Sequence, residues 1–313
     1  MTKMTNMPFS TSLERNAFFN EHVLSLDLWP VWKYVDANNN PQWQGDPLLH
    51  HMHYHSTEHM KQVTALALWL LLQEMEYQWQ YDNGALPLAV ACMFHDMHHS
   101  LGRLSDEVNV RTSQDAFKQY LTVCEDQRIK DHEEIILDLI GVTQFPYMKN
   151  RQPKNLIERC IRDADILYGM QDDALDVVMF ALRREVNRSV NTPTHFTAEQ
   201  WAAGRVDFLM SVEMYTPTAN TIMDWLLVQD NDHNHQAKID SWMRDNVIFR
   251  DTTANKLRAN DVLFIDTESD STPKRRLIER VESVHPYINF YFHDGEALSL
   301  RDGESCVVCE RRK

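Results

Sequence analysis

The chain predicts a mainly α fold: a helical bundle over residues 1–230, then a small β-rich, barrel-like domain over residues 245–313. Three observations predict it. Glycine is scarce, with 8 in 313 residues, which suits a protein built of helix interiors. Apolar residues recur at helical spacing through most of the first 230 positions. Beyond Asn246 the pattern changes to short β-branched and aromatic runs, "DVLFIDTE", "RLIERVESV", "YINFYF" and "CVVCE", with Asp294-Gly295 and Asp302-Gly303 as turns.

Each element has its own warrant. An opening helix covers about Ser12 to Leu24, followed by a Pro, Trp and Asn-rich stretch to Asp46. Ser56 stands where it can cap a helix through "TEHMKQVTALALWLLLQEM". Asp82-Asn83-Gly84 reads as a turn, and Pro87 then falls in the first turn of the next helix, where its missing N–H is tolerated. From Leu86 to Phe94 no polar face interrupts the run, so that helix is buried. Further helical patterns are "DEVNVRTSQDAFKQYL", "DHEEIILDLIGV", "NLIERCIRDADILYGM" and "DALDVVMFALRREVNRSV", then Ala198 to Met210 and Ala219 to Val228. "NDHNHQ" is polar and breaks the pattern.

Composition removes several function classes. A formal charge of −15 argues against holding nucleic acid by its phosphate backbone. The sequence has no G-x-x-x-x-G-K-[ST], G-x-G-x-x-G or G-x-S-x-G, so P-loop, dinucleotide and hydrolase-elbow readings lapse. The first residues lack the apolar core of a signal peptide, and "ALALWLLL" is too short to span a bilayer, so no membrane partner is expected. Five cysteines, at 92, 124, 160, 306 and 309, show no disulfide rhythm, and the lone C-x-x-C at Cys306 and Cys309 has no second pair to complete a zinc site. A cytoplasmic protein is the expectation. Eight Trp and fifteen Met leave apolar surface beyond one core, room for a homo-oligomer.

Chemistry concentrates in three places. His55 and His59 stand i, i+4, on one face if both are helical. His95 and Asp96 continue the apolar stripes of the preceding helix and so point inward. Burying a carboxylate there is costly unless something positive pairs with it. Asp163-Ala164-Asp165 lies on a helix whose stripe is Leu156, Ile157, Cys160, Ile161, Ala164 and Leu167. Two residues apart, these carboxylates lean to opposite flanks, so one of them reaches a common site; periodicity does not say which. Taken singly, His95 and Asp96 also read as a hydrogen-bonded histidine beside a salt-bridged acid.

Taken together, H-x-x-x-H, then H-D, then a distal D in an A-D-[IL] context resembles the HD-domain metal-dependent phosphohydrolase superfamily, over roughly residues 48–225. "YHSTEH" resembles that family's Y-H-N-x-x-H opening, with Ser56 where Asn is usual, and "HDMHHS" resembles its H-D-x-x-H form, shared with cyclic-nucleotide phosphodiesterases. "SDEVNV" and "VTQFPY" resemble segments of one branch. The resemblance implies an HD-domain helical bundle in which His59, His95, Asp96 and Asp165 hold one or two divalent metal ions, with Mg, Mn, Fe, Co, Ni and Zn not distinguished. It implies His55 as the acid that protonates a leaving group, and His99 as support for the site or for a second metal. A bound dication lowers the pKa of water, and the implied reaction is hydrolysis of a nucleotide phosphoester, cyclic nucleotides and oligonucleotides included.

Two other readings stay open at this stage. An HD fold can hold a nucleotide signal without turning it over. An HD-type di-iron oxygenase needs extra histidines between the H-D and the distal Asp, and only His98, His99 and His132 lie there. For substrate contacts, Thr143, Gln144 and Tyr147 follow a helix and offer a hydroxyl, an amide and an aromatic face; a proline-closed loop ending that helix is the plainer alternative. Arg183 and Arg184 could meet phosphate, although an exposed helix face is the simpler expectation for at least one.

Overall fold

The computed structural model describes residues 11–41, 53–146, 152–189, 196, 198–227 and 234–244, and the backbone of six strands beyond them. Among the described residues the first part has twelve helices: α1 Ser12–Ser25, α2 Trp29–Asn38, α3 Thr57–Glu74, α4 Gln78–Phe94, α5 Asp106–Leu121, α6 Gln127–Asp131, α7 Glu133–Val142 and α8 Leu156–Tyr168. Then come α9, which runs Leu175–Val177, a π-helical stretch Val178–Leu182 and Arg183–Asn187, and finally α10 Ala198–Ser211, α11 Pro217–Leu227 and α12 His235–Arg244. The protein is mainly helical.

The bundle is built around α3, which packs against α8, α4 and α1. Its residues Met60, Val63, Ala65, Leu66, Ala67, Leu68, Leu70 and Leu71 are all buried, so the helix has almost no solvated side. Each such Leu or Met removed from water contributes about 1.5–3 kcal/mol. Ser56 caps α3, its hydroxyl accepting the His59 N–H at 3.1 Å, and so fixes the start of the helix where His59 first turns inward. Asn155 does the same for α8, accepting the Glu158 N–H at 3.0 Å. Both caps lie close in sequence to residues that bear on the site.

Several sequence expectations change. Asp82-Asn83-Gly84 is not a turn: α4 passes straight through it, and Pro87 sits inside the helix. Gly84 has a packing reason instead, because a Cβ there would meet Ile157 Cγ2 on α8 at 2.9 Å. The Pro, Trp and Asn-rich stretch before Asp46, to which the sequence pattern assigns no element, contains α2, which buries Val31, Trp32 and Val35 against the core. The polar "NDHNHQ" leads into another helix, α12. Arg183 and Arg184 are both buried, so neither lies on an exposed face, and Arg183 Nη1 donates to the Phe196 carbonyl at 3.0 Å.

Beyond α12, six strands are described by backbone alone: β1 Val247–Thr253, β2 Val262–Thr267, β3 Asp270–Val284, β4 Tyr287–Phe292, β5 Ala297–Arg301 and β6 Ser305–Arg311. They pair antiparallel in the order β1-β6-β2-β3-β4-β5, with Val247 opposite Arg311 and Tyr287 opposite Arg301. Among the described residues β1 and β5 do not pair with each other, so the ladder described here is open rather than barrel-like. The packing that would make these strands a β-rich domain rests on side chains outside the described residues, as do the Cys306 and Cys309 thiols.

Candidate metal centre

α4 ends at Phe94, and His95 and Asp96 occupy the turn immediately after it. The loop that follows is sharply bent. His98, Leu101 and Gly102 have φ of 64°, 52° and 87°, a left-handed conformation that two of the three, as non-glycine residues, adopt only under constraint. The constraint is visible. Asn39 Oδ1 accepts the His98 N–H at 2.9 Å, Ser113 Oγ donates to the Met97 carbonyl at 3.2 Å, and Asn109 Oδ1 accepts the Ser100 N–H at 3.1 Å. Gly102 is required here: a Cβ would lie 1.9 Å from the Glu185 carbonyl oxygen.

Four side chains, from α3, the turn after α4 and α8, converge beside this loop. His59 Nε2 lies 3.1 Å from His95 Nε2, 3.0 Å from Asp96 Oδ2 and 3.2 Å from Asp165 Oδ1. His95 Nε2 lies 3.0 Å from Asp96 Oδ2 and 3.8 Å from Asp165 Oδ1. His59 and His95 are buried, while Asp96 and Asp165 keep 14% and 22% of their side-chain surface, which leaves the centre open on the carboxylate side. Asp163 goes elsewhere. Its carboxylate accepts the backbone N–H groups of Tyr215 and Thr216 and anchors the start of α11. Burial pushes its pKa up to about 6, although those N–H groups pull the other way.

The donor set fits a divalent cation. His95 Nδ1 faces the Cys92 carbonyl at 2.8 Å, and a carbonyl can only accept, so Nδ1 carries a hydrogen and Nε2 is the nitrogen an ion would meet once it displaces the proton there. The ligating atoms of His59, His95 and Asp96 all lie within 4.8 Å of one another. Two carboxylates would balance the charge of a dication, and N and O donors suit several first-row metals. Burial opposes positive charge at His95, yet Asp96 and Asp165 outweigh it and hold its pKa well above the usual imidazole value. Burial likewise opposes charge at Asp96, and His95 with His55 overcome it, holding the carboxyl well below its ordinary range. That field attracts a cation of any kind. His59 Nδ1, by contrast, is buried with no hydrogen-bond partner among the described residues, its ring held between Tyr54 and Tyr168 at 4.7 and 4.8 Å.

A second group flanks the first. His55 Nδ1 pairs with Glu185 Oε2, and Glu185 Oε1 also accepts the Tyr54 N–H. His99 stacks on His55, with ring centroids 3.7 Å apart and planes at 28°. Burial opposes charge at His55, but Glu185 and Asp96 together raise its pKa to about 9. Burial and the neighbouring His55 push His99 down to about 3, so it stays neutral. The Leu101 N–H donates to His99 Nδ1 at 3.1 Å, so in the neutral ring Nε2 carries the hydrogen, and Nε2 lies 2.8 Å from Asn109 Nδ2, close on both sides. His55, His99 and Glu185 are close enough to share an ion, but those partners favour a proton-handling group over a second metal.

Glu185 was invisible to sequence reasoning. It lies on α9, 130 residues from its partner, and a lone Glu beside two arginines carries no pattern. The substrate contacts expected from the sequence fare unevenly. Thr143 is buried and its hydroxyl donates to the Ile140 carbonyl at 2.9 Å, closing α7; Gln144 is half-buried; Tyr147 lies outside the described residues. No described helix is long and apolar enough to cross a membrane. No protein-family model, no curated protein and no solved structure matches this chain, so the geometry of the centre is what speaks for its chemistry.

Proposed function

We propose that the protein is a metal-dependent phosphohydrolase with an HD-type centre in the helical bundle, acting on a phosphoester of a nucleotide, cyclic nucleotides and oligonucleotides among the candidates. The observation that carries the reading is the convergence of His59, His95, Asp96 and Asp165 from α3, α4's end and α8, with His95 Nε2 turned to the centre. His59, His95, Asp96 and Asp165 would hold the ion. Bound there, a dication supplies Lewis acidity for water and for phosphoryl oxygen.

The chain's own residues supply the rest. Glu185 takes Nδ1 of His55, which leaves Nε2 as the nitrogen free to meet a leaving group. Held protonated by Glu185, His55 gives its proton to the departing oxygen, the role of a general acid. His99 lies flat against His55 and restricts its tilt, and Asn109 fixes His99 in turn. The test is a screen of purified full-length protein with Mg, Mn, Fe, Co, Ni or Zn against nucleotides, cyclic nucleotides and cyclic dinucleotides, products identified by mass. Turnover that Asp96→Ala abolishes supports the reading. Nucleotide binding without product under every metal sinks it and leaves a binding module; two irons per chain with consumption of O₂ would revive an oxygenase.

A further inference from the structure

Arg205, on α10, is 7% exposed, and its hydrogen bonding is thin for a buried cation. Nη2 donates to the Gly169 carbonyl at 3.2 Å, and Nε has no partner among the described residues. The guanidinium lies over the Phe208 ring at 5.3 Å. Burial pulls its pKa down, and among the described groups only the Tyr54 phenol opposes that pull; no carboxylate stands opposite. Nearby His235 adds none, since burial, Arg205 and Lys238 keep it neutral with a pKa of about 3. Lys238 is already paired with Asp172. A charge buried in this way is costly unless an anion joins it.

Its position says which anion. Gly169 follows Asp165 by one helical turn, and a Cβ at Gly169 would meet Arg205 Nη2 at 2.7 Å and Tyr54 Oη at 3.2 Å. Arg205 and Tyr54 therefore share the space that the missing side chain leaves, and the Tyr54 ring rests on His59. With a dication bound, Asp96 and Asp165 would be balanced, as Glu185 is by His55; Arg205, one tyrosine away across Tyr54, is then a buried positive charge with no acidic partner among the described groups.

We propose that Arg205 is a substrate-binding residue that grips phosphoryl oxygens of the substrate, making the centre selective for phosphate that still carries negative charge on atoms other than the scissile bond. The inference rests on the phosphohydrolase reading for its purpose, but its test does not. A guanidinium offers a planar fork to two phosphate oxygens, and Gly169 is the residue that leaves room for it.

The experiment measures binding of inorganic phosphate to the full chain in the presence of Mn²⁺, by calorimetry, together with melting temperature without phosphate. Arg205→Met is expected to weaken phosphate binding at least ten-fold while the melting temperature stays level or rises, because an uncompensated charge has left the interior. A structural arginine behaves the opposite way: the melting temperature falls and phosphate affinity holds, and that result overturns the proposal. Should Arg205→Met fail to fold, Arg205→Lys decides. It keeps the charge and loses the fork, so a ten-fold weaker affinity is expected, and wild-type affinity overturns the proposal. Phosphate binding that depends on Arg205 without any turnover leaves this inference standing and removes the hydrolase reading; turnover with phosphate affinity independent of Arg205 does the reverse.

Discussion

Replacing Gly102 by alanine tests how tightly the loop after Asp96 is tied to the partner of His55. At φ of 87° an alanine is strained, at about 1–2 kcal/mol. Its Cβ would also stand 1.9 Å from the Glu185 carbonyl oxygen, where contact needs about 3.3 Å. The two backbones must then part by about 1.4 Å, and neither is the flexible end of a side chain. Strain and repacking together should cost about 3 kcal/mol, a fall of about 8 °C in melting temperature for a bundle of this size. The displaced segment carries Glu185, so turnover of the phosphoester found by the screen should drop about a hundred-fold as His55 loses its alignment. Urea unfolding followed by circular dichroism gives the first number and initial rates give the second. Gly204→Ala is the internal comparison. Nothing lies within 4 Å of a Cβ there, and on a helix the change should stabilise by about 0.5–1 kcal/mol. If Gly102→Ala melts like wild type and turns over normally, the close approach of loop and α9 is not real.

Three further expectations follow from the same geometry. Asp165→Ala should strip the metal, read by elemental analysis of the purified protein, whereas Asp163→Ala should keep the metal and lose roughly 2–4 kcal/mol in urea because two backbone donors at the start of α11 are orphaned; the reverse pattern would exchange their roles. Glu185→Gln should leave metal content unchanged and lower turnover about 10–100-fold, the scale typical for the partner of an active-site histidine, and equal rates would remove Glu185 from the mechanism. His235 is held neutral with a folded pKa of about 3, so the unfolded chain takes up a proton that the fold refuses as pH drops below about 6.5. Stability is therefore full above that pH and falls by about 2 kcal/mol between pH 6.5 and 5. His235→Leu should flatten that acid limb, and an unchanged pH profile of melting temperature would contradict the assignment.

The sequence disclosed most of the helices because their apolar spacing is a local property. Ser56 and the opening of α3, "DEVNVRTSQDAFKQYL" as α5, and the stripe of α8 are all legible from neighbours a few residues apart. Gly84 misled because its requirement is tertiary: it faces Ile157 on another helix, and locally Asp-Asn-Gly spells a turn. The same division holds at the centre. His55, His59, His95 and Asp96 stand in recognisable spacings. The choice of Asp165 over Asp163 depended on resemblance, since only the fold shows that Asp163 is occupied by Tyr215 and Thr216. Glu185 meets His55, and Arg205 meets Gly169, through long-range packing, and no local pattern marks either.

The π-helical stretch Val178–Leu182 has a further meaning for the chain's tolerance of change. Such a stretch houses one residue more than regular helix would need while keeping the segments on either side in phase. Excising a single residue there, Ala181 for example, should let the helix close into ordinary geometry with Glu185 still facing His55. Inserting a residue into Arg183–Asn187 ahead of Glu185 has no such reserve, and would swing the carboxylate about 100° off its partner. Shortening is the edit this helix can absorb; lengthening is the one it cannot.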